Sequence, residues 1–149
     1  NDDRKVFGFD SFKGFSEVWT GKDRGYPVDV FDRHGQLPSV RENVQLVEGY
    51  IEESLPKFVD SGSIDIVSLI HIDTDTYSPA YTVLSLLKQY FQSGTIIAFD
   101  EFLGYPNWRN HEYRALFETL DEDSYEFIAF SYSKKIGGSK FIRAAIRML

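Results

Sequence analysis

The chain has no cysteine among its 149 residues. That absence excludes disulfides, thiolate metal sites and cysteine nucleophiles together, and it is compatible with a cytoplasmic location. Long apolar runs are missing as well. None approaches the roughly 20 residues that a membrane helix requires, so no membrane partner is expected. Basic residues are outnumbered, 16 Lys and Arg against 23 Asp and Glu, for a net charge of −7. With no basic stripe to meet a phosphate backbone, no nucleic-acid partner is expected either. The start, Asn1-Asp2-Asp3-Arg4-Lys5, is neither a signal peptide nor a natural beginning. What remains is a globular composition: 42% hydrophobic and 16% aromatic residues exclude wholesale disorder, and the length suffices to bury a core in one domain.

Along the chain, apolar runs alternate with amphipathic stretches. Lys5 to Asp10 is a short apolar run ending in an acid, which predicts a buried strand whose end meets a loop. A long segment rich in glycine and aromatics, Ser11 to Glu42, follows; loops of this length inside a domain are usually functional. Asn43 to Tyr50 predicts a second strand and Glu52 to Asp60 a short helix. Ile64 to Ile72 is almost continuously apolar, as expected of a strand covered on both faces. Ser78-Pro79 marks a helix start, with Ser as cap and Pro at the first helical position, and Gly94 closes that helix. Thr95 to Phe99 predicts another strand ending in acids, Asp100 and Glu101. A helix over Asn110 to Leu120 and two strands, Tyr125 to Tyr132 and Lys140 to Met148, complete the pattern, with Gly137-Gly138 as the hairpin turn. The order implies an α/β sandwich with a mostly parallel sheet and a closing antiparallel hairpin.

Ligands of open parallel sheets bind beyond the carboxyl ends of the strands. Three predicted strands end there in carboxylates: Asp10; Asp73 and Asp75; Asp100 and Glu101. Neighbouring strand ends lie on the order of 5 Å apart, and carboxylates so close repel unless a proton or a cation sits among them. Hard oxygen ligands without cysteine favour Mg²⁺, with Ca²⁺ or Mn²⁺ as alternatives. The bland alternative makes Asp75 a turn or helix cap and leaves Glu101 solvated. Asp10 suits a different task, accepting hydrogen bonds from ribose hydroxyls at a strand end.

Four ordered motifs point further. Phe9-Asp10-Ser11-Phe12-Lys13-Gly14-Phe15 with Trp19, Asn43-Val44-Gln45-Leu46-Val47-Glu48-Gly49-Tyr50 with Leu55-Pro56, His71-Ile72-Asp73-Thr74-Asp75-Thr76-Tyr77-Ser78, and Phe99-Asp100-Glu101-Phe102 together resemble the macrocin O-methyltransferase family. Tyr105, Trp108 and Glu112 fit the segment after that family's fifth strand. The resemblance spans nearly the whole chain. It implies a Rossmann-like class I methyltransferase sandwich that uses S-adenosylmethionine and, with Mg²⁺, methylates a small-molecule hydroxyl, in many members a sugar hydroxyl. It further implies that Asp10 and Ser11 bind the donor's ribose and that Tyr50 and Ile51 lie against its adenine. Asp73, Asp100 and Glu101 would hold the metal; the family often has Asp-Asp where this chain has Asp100-Glu101.

In such chemistry Asp73 takes the acceptor's proton or orients the acceptor, with His71 and His111 as rival bases. His71, inside an apolar strand, reads as a hydrogen-bonded core histidine. His111, after the Gly104-Tyr105-Pro106 loop, is carried with Asp73 as a catalytic candidate. Phe12, Phe15, Trp19, Tyr26, Tyr105 and Trp108 could line an acceptor pocket or a contact in a homo-oligomer, but at least half are expected to be core.

The resemblance also exposes a deficit. The family's glycine-rich donor loop follows a first strand that lies between the second and fourth, yet no Gly-x-Gly-x-Gly occurs here. The first strand and helix are therefore expected to be absent from this chain, leaving a gap of roughly 10 Å, two strand spacings, between the strands ending at Asp10 and Asp73. On that reading the chain is part of a longer polypeptide and binds S-adenosylmethionine poorly as it stands. Two alternatives compete. Asp73-Thr74-Asp75-Thr76 also looks like the Asp-x-Asp-x-Thr signature of haloacid-dehalogenase phosphatases, with Asp73 as nucleophile and Asp75 as acid/base, although only 27 residues separate Asp73 from Asp100. The other alternative is a non-catalytic, methyltransferase-like domain.

Overall fold

A computed structural model describes residues 4–20, 27–134 and 140–149. The strands are β1 (Val6–Asp10), β2 (Val44–Glu48), β3 (Leu69–Ile72), β4 (Ile96–Leu103), β5 (Tyr125–Lys134) and β6 (Lys140–Met148). The helices are α1 (Ile51–Asp60), α2 (Tyr77–Leu87) and α3 (Glu112–Thr119). The strands form two sheets. One is the parallel pair β1-β2, and the other runs β3-β4-β6-β5. Within the second, β3 and β4 are parallel, whereas β6 is antiparallel to both β4 and β5. The α/β reading with a C-terminal antiparallel hairpin holds. The Gly137-Gly138 turn lies outside the described residues.

The core explains the architecture. Ile72, Ile97, Phe99, Ala144 and Ile146 stand on one face of the larger sheet and meet Ala80 and Leu84 of α2 and Ala115 and Leu116 of α3. Each fully buried aliphatic or aromatic side chain contributes about 1.5–3 kcal/mol relative to exposure. In the smaller unit, Phe7 and Phe9 of β1 set their rings edge-on to Phe58 of α1, at 4.7 and 5.2 Å between centroids. Helix α1 also packs on α2 and so joins the two units.

Two strand expectations change. The apolar run 64–72 becomes a strand only over Leu69–Ile72, and it is covered on one face alone. Leu69 is 65% exposed, and the His71 side chain is 58% exposed, so His71 is not a core histidine. The physical reason is that α2 and α3 both lie on the Ile70 and Ile72 side. Strand β4, in turn, continues through Asp100 and Glu101 to Leu103 instead of ending before them.

The helix start expected at Ser78-Pro79 is two residues late. Helix α2 begins at Tyr77 after the cap position Thr76, with no side-chain bond from its own cap residue. Instead the Ser78 N–H donates to Glu17 Oε1 at 2.8 Å. Helix α2 ends at Leu87 in a 3-10 turn, Lys88–Tyr90, and Gly94 (φ +92°) follows in the next turn. No described helix is long and apolar enough to cross a membrane.

Strands β1 and β3 share no ladder. Between their free edges lies a groove of about 1320 Å³, lined along one side by Val6 to Ser11 and along the other by Ser68 to Asp75. The separation expected between the strands ending at Asp10 and Asp73 is therefore present.

Candidate active site

At the carboxyl end of β1 the chain folds back on itself. Asp10 Oδ1 accepts the Phe12 N–H at 2.6 Å, and the Ser11 hydroxyl bridges the Lys13 N–H and the Gly14 carbonyl. These short-range bonds are the Asx- and Ser-turn chemistry that such residues favour. Phe12 takes a positive φ of 54°, and Gly14 one of 88°. Gly14 must be glycine, because a Cβ there would stand 2.0 Å from the Val28 carbonyl oxygen. Asp10 and Ser11 line the groove, as do Tyr50 and Ile51 at the entry to α1.

The loop after β3 carries the second group. The Thr76 N–H bonds to the Thr74 carbonyl at 2.6 Å, which closes a tight turn around Asp75 at φ +60°. Asp is one of the few residues that tolerates this conformation. The turn directs Asp75 inward, leaving it 9% exposed, while Asp73 stays exposed to the groove.

Strand β4 brings the third acid. Between the pairs Phe99↔Ala144 and Leu103↔Ile142, three residues of β4 oppose the single Arg143 of β6. This bulge re-aims side chains. Glu101 and Phe102 both turn into the interior, each 1% exposed. The Glu101 carbonyl, displaced from the ladder, accepts the buried Tyr105 hydroxyl at 3.0 Å.

Asp73, Asp75 and Glu101 thus each offer one oxygen within 4.8 Å of the others. Like charges that close repel by roughly 3 kcal/mol at an effective dielectric near 20. Burial, and secondarily the hydrogen bond and charge of Glu101, push the Asp75 carboxyl up to about 10. Asp75 Oδ1 is buried and has no hydrogen-bond partner among the described residues. An all-oxygen set with a spare acceptor fits a hard divalent cation.

The grouping differs from the expected Asp73, Asp100 and Glu101. Asp100 points to the opposite face, where the Arg143 guanidinium grips it through Nε and, at 3.2 Å, through Nη2. His71 Nε2 stands 3.9 Å from the same carboxylate. Ordinary strand alternation sends Asp100 and Glu101 to different sides of the sheet. The bulge then turns Phe102 to the same side as Glu101, and Asp100 still lines the edge of the groove.

His111 does not reach the groove. It is 5% exposed, caps α3 in sequence, stacks on Tyr105, and places Nε2 3.1 Å from the Thr20 hydroxyl. Burial lowers its pKa below 6.5, with Glu17 opposing weakly. Of the aromatics singled out, Phe12, Trp19 and Tyr105 are buried, and Trp19, Tyr105 and Phe141 make a second core patch with Phe15 and Trp108 partly buried against it. Tyr26 lies outside the described residues.

Sequence reasoning gave no role to Glu112, a fully buried carboxylate at the start of α3. Its signal was helical spacing: it stands four residues before Leu116 and three before Ala115, on the face that α3 buries.

Comparison with known proteins identifies the class of fold. Residues 1–102 match the family model described as a methyltransferase domain, and the chain belongs to that family. No curated protein sequence matches the chain. Among solved structures, the chain is similar to the calicheamicin methyltransferase CalS11, with 23% identity and a TM-score of 0.70, covering 97% of this chain and 60% of that one. An apo structure of CalS11, described as a TDP-rhamnose 3'-O-methyltransferase of calicheamicin biosynthesis, aligns at 27% identity and TM-score 0.61, covering 97% and 58%. The O-methyltransferase NovP aligns at 21% identity and TM-score 0.57, covering 99% and 61%. The chain therefore spans about three fifths of the structures it resembles.

Proposed function

We propose that this protein is an S-adenosylmethionine-dependent O-methyltransferase of the macrocin type, acting on a small-molecule hydroxyl, a sugar hydroxyl by preference, with the aid of Mg²⁺. The observation that carries the reading is a single groove onto which Asp10, the Tyr50-Ile51 corner and Asp73 all open. Membership of the methyltransferase-domain family supports it, as does the O-methyltransferase description of the similar structures.

In this reading each group has a task. Asp10 keeps one oxygen on the Phe12 N–H, which leaves the other to accept from the donor's ribose. Ser11 shapes the loop beside it, and Tyr50 and Ile51 flank the adenine. Asp73, exposed to the groove, receives the acceptor's proton or orients the hydroxyl. Asp73, Asp75 and Glu101 would hold the cation. When bound, the cation lowers the pKa of an acceptor hydroxyl, and the donor supplies an electrophilic methyl group. Positioning carries much of the remaining catalysis, since an in-line nucleophile must be held close to that methyl.

Calorimetric titration of the full-length protein with S-adenosylhomocysteine, with and without Mg²⁺, tests the donor site, and methyl transfer by that protein to a nucleotide-sugar acceptor tests the reaction. Binding lost in Asp10→Ala supports the assignment. No binding under either condition would favour a non-catalytic methyltransferase-like domain. Hydrolysis of an aryl phosphate, abolished by Asp73→Asn, would favour the phosphatase.

A further inference from the structure

Glu112 is 0% exposed, and no step of the proposed reaction uses it. Its Oε1 accepts the Thr74 N–H at 3.2 Å. Burial pushes the Glu112 carboxyl well above its usual range; the backbone N–H groups of Thr74 and Glu101, which both bond to it, oppose that shift without overcoming it. Thr74 lies between Asp73 and Asp75, and Glu101 is itself the third acid. One side chain of α3 thus grips the backbone of both segments from which the acids project.

We infer that Glu112 is a positioning residue that clips the β3 loop to the β4 bulge and so holds Asp73, Asp75 and Glu101 in one ligand sphere. The inference rests on the proposal that those three acids hold a cation. Both segments depart from regular ladder bonding, although the Tyr105 hydroxyl also reaches the Glu101 carbonyl and the Thr74 hydroxyl the Thr76 carbonyl. The bulge takes Glu101 out of the regular β4-β6 ladder, and the turn at Asp75 has a single backbone bond across it. An acceptor reaching both N–H groups supplies the missing tie.

The choice of a carboxylate for this clip is informative. Glu112 Oε2 is buried and has no hydrogen-bond partner among the described residues. A buried acceptor left unmade is costly, and an apolar residue at this helical position would avoid that cost. Retaining the carboxylate makes sense if its Oε1 bond fixes geometry that the site requires. Residues that orient metal ligands without touching the metal typically affect affinity by about 10–100-fold when removed.

The test uses Mn²⁺ as probe, with free Mn²⁺ read by electron paramagnetic resonance on the full chain and folding read separately by circular dichroism. Glu112→Leu is expected to weaken Mn²⁺ binding about 10–100-fold in a chain that remains folded. Glu112→Gln, which keeps a carbonyl acceptor for the Thr74 N–H, is expected to bind within about threefold of the parent. Should Glu112→Leu fail to fold, Glu112→Asp supplies the loss arm, because its carboxyl is one methylene too short to span both N–H groups. Unchanged affinity in the folded Leu or Asp variant overturns the inference. Equal loss in Gln and Leu also overturns it, since that would make Glu112 a ligand. If Asp75→Asn weakens Mn²⁺ binding while the Glu112 variants do not, only the clip fails. If the parent chain binds no Mn²⁺, the cation reading fails and takes the clip with it.

Discussion

Glu17 accepts the Ser78 backbone N–H at 2.8 Å across 61 residues of sequence. The bond sets a carboxylate from the loop after β1 on the first turn of α2, where free N–H groups and the positive end of the helix dipole favour it. It therefore ties the β1-β2 unit to the larger sheet beside the candidate site. Neighbouring bonds reinforce the strap: the Asn107 side chain donates to the Thr20 carbonyl at 3.1 Å, and the Ser16 hydroxyl donates to Glu52 at 2.8 Å.

Glu17→Ala is accordingly expected to cost about 1 kcal/mol, the usual penalty for a lost helix cap. Urea denaturation would show the loss, and Glu17→Gln, which keeps an acceptor, should recover most of it. An alanine variant with an unshifted midpoint would mean that the strap contributes nothing.

Asp75 and Asp100 make opposite predictions for cation binding. Asp75→Asn removes a member of the acid cluster and should weaken Mn²⁺ binding at least about tenfold, whereas Asp100→Asn should leave it within about threefold. Arg143 already occupies the Asp100 carboxylate on the other face of the sheet. The reverse ranking of the two variants would restore Asp100 as the ligand and remove Asp75.

His111 should make the fold sensitive to acid. Its folded pKa lies below 6.5 because the ring is buried. Below pH 6.5 the unfolded chain takes up a proton that the folded chain resists, so this contribution to stability is full above 6.5 and is lost as pH falls through the folded pKa. Urea midpoints between pH 5 and pH 8 should fall on the acid side more steeply for the parent than for His111→Gln. Parallel curves would contradict the shift.

Gly14→Ala should destabilise strongly. The left-handed conformation alone costs a non-glycine residue about 1 kcal/mol, and the added Cβ would collide with the Val28 carbonyl at 2.0 Å. The Phe15 N–H bond to that carbonyl, 2.7 Å long, should break with it. Thermal unfolding would report the loss. A melting temperature equal to the parent's would show that the loop is free to rearrange.

Much of the scaffold was legible from local pattern, because strand and helix formation follow nearby apolar spacing. The helices over 51–60 and 112–119 and the strand after Lys140 lie close to where periodicity places them. Asp10, Asp73 and Asp100 line the groove onto which strand-end reasoning directs them, and Tyr50 and Ile51, to which the family resemblance points, line it too. An apolar run does not reveal that only one face of its strand is covered, and His71 stands on the uncovered face. Adjacency in sequence does not show that Asp100 and Glu101 take opposite faces of β4, nor that Arg143, more than 40 residues later, pairs with Asp100.

By itself, then, the sequence determined which segments become strands and helices, and that carboxylates gather at the carboxyl ends of parallel strands. Those outcomes depend on short-range periodicity and on where a chain can turn. Only the tertiary structure decided which carboxylates meet. The turn at Asp75, the bulge at Glu101 and the buried Glu112 act together because three segments from different parts of the chain converge. Side-chain direction in that cluster is set by packing and by backbone bonds between the segments, and neither is encoded in any one of them.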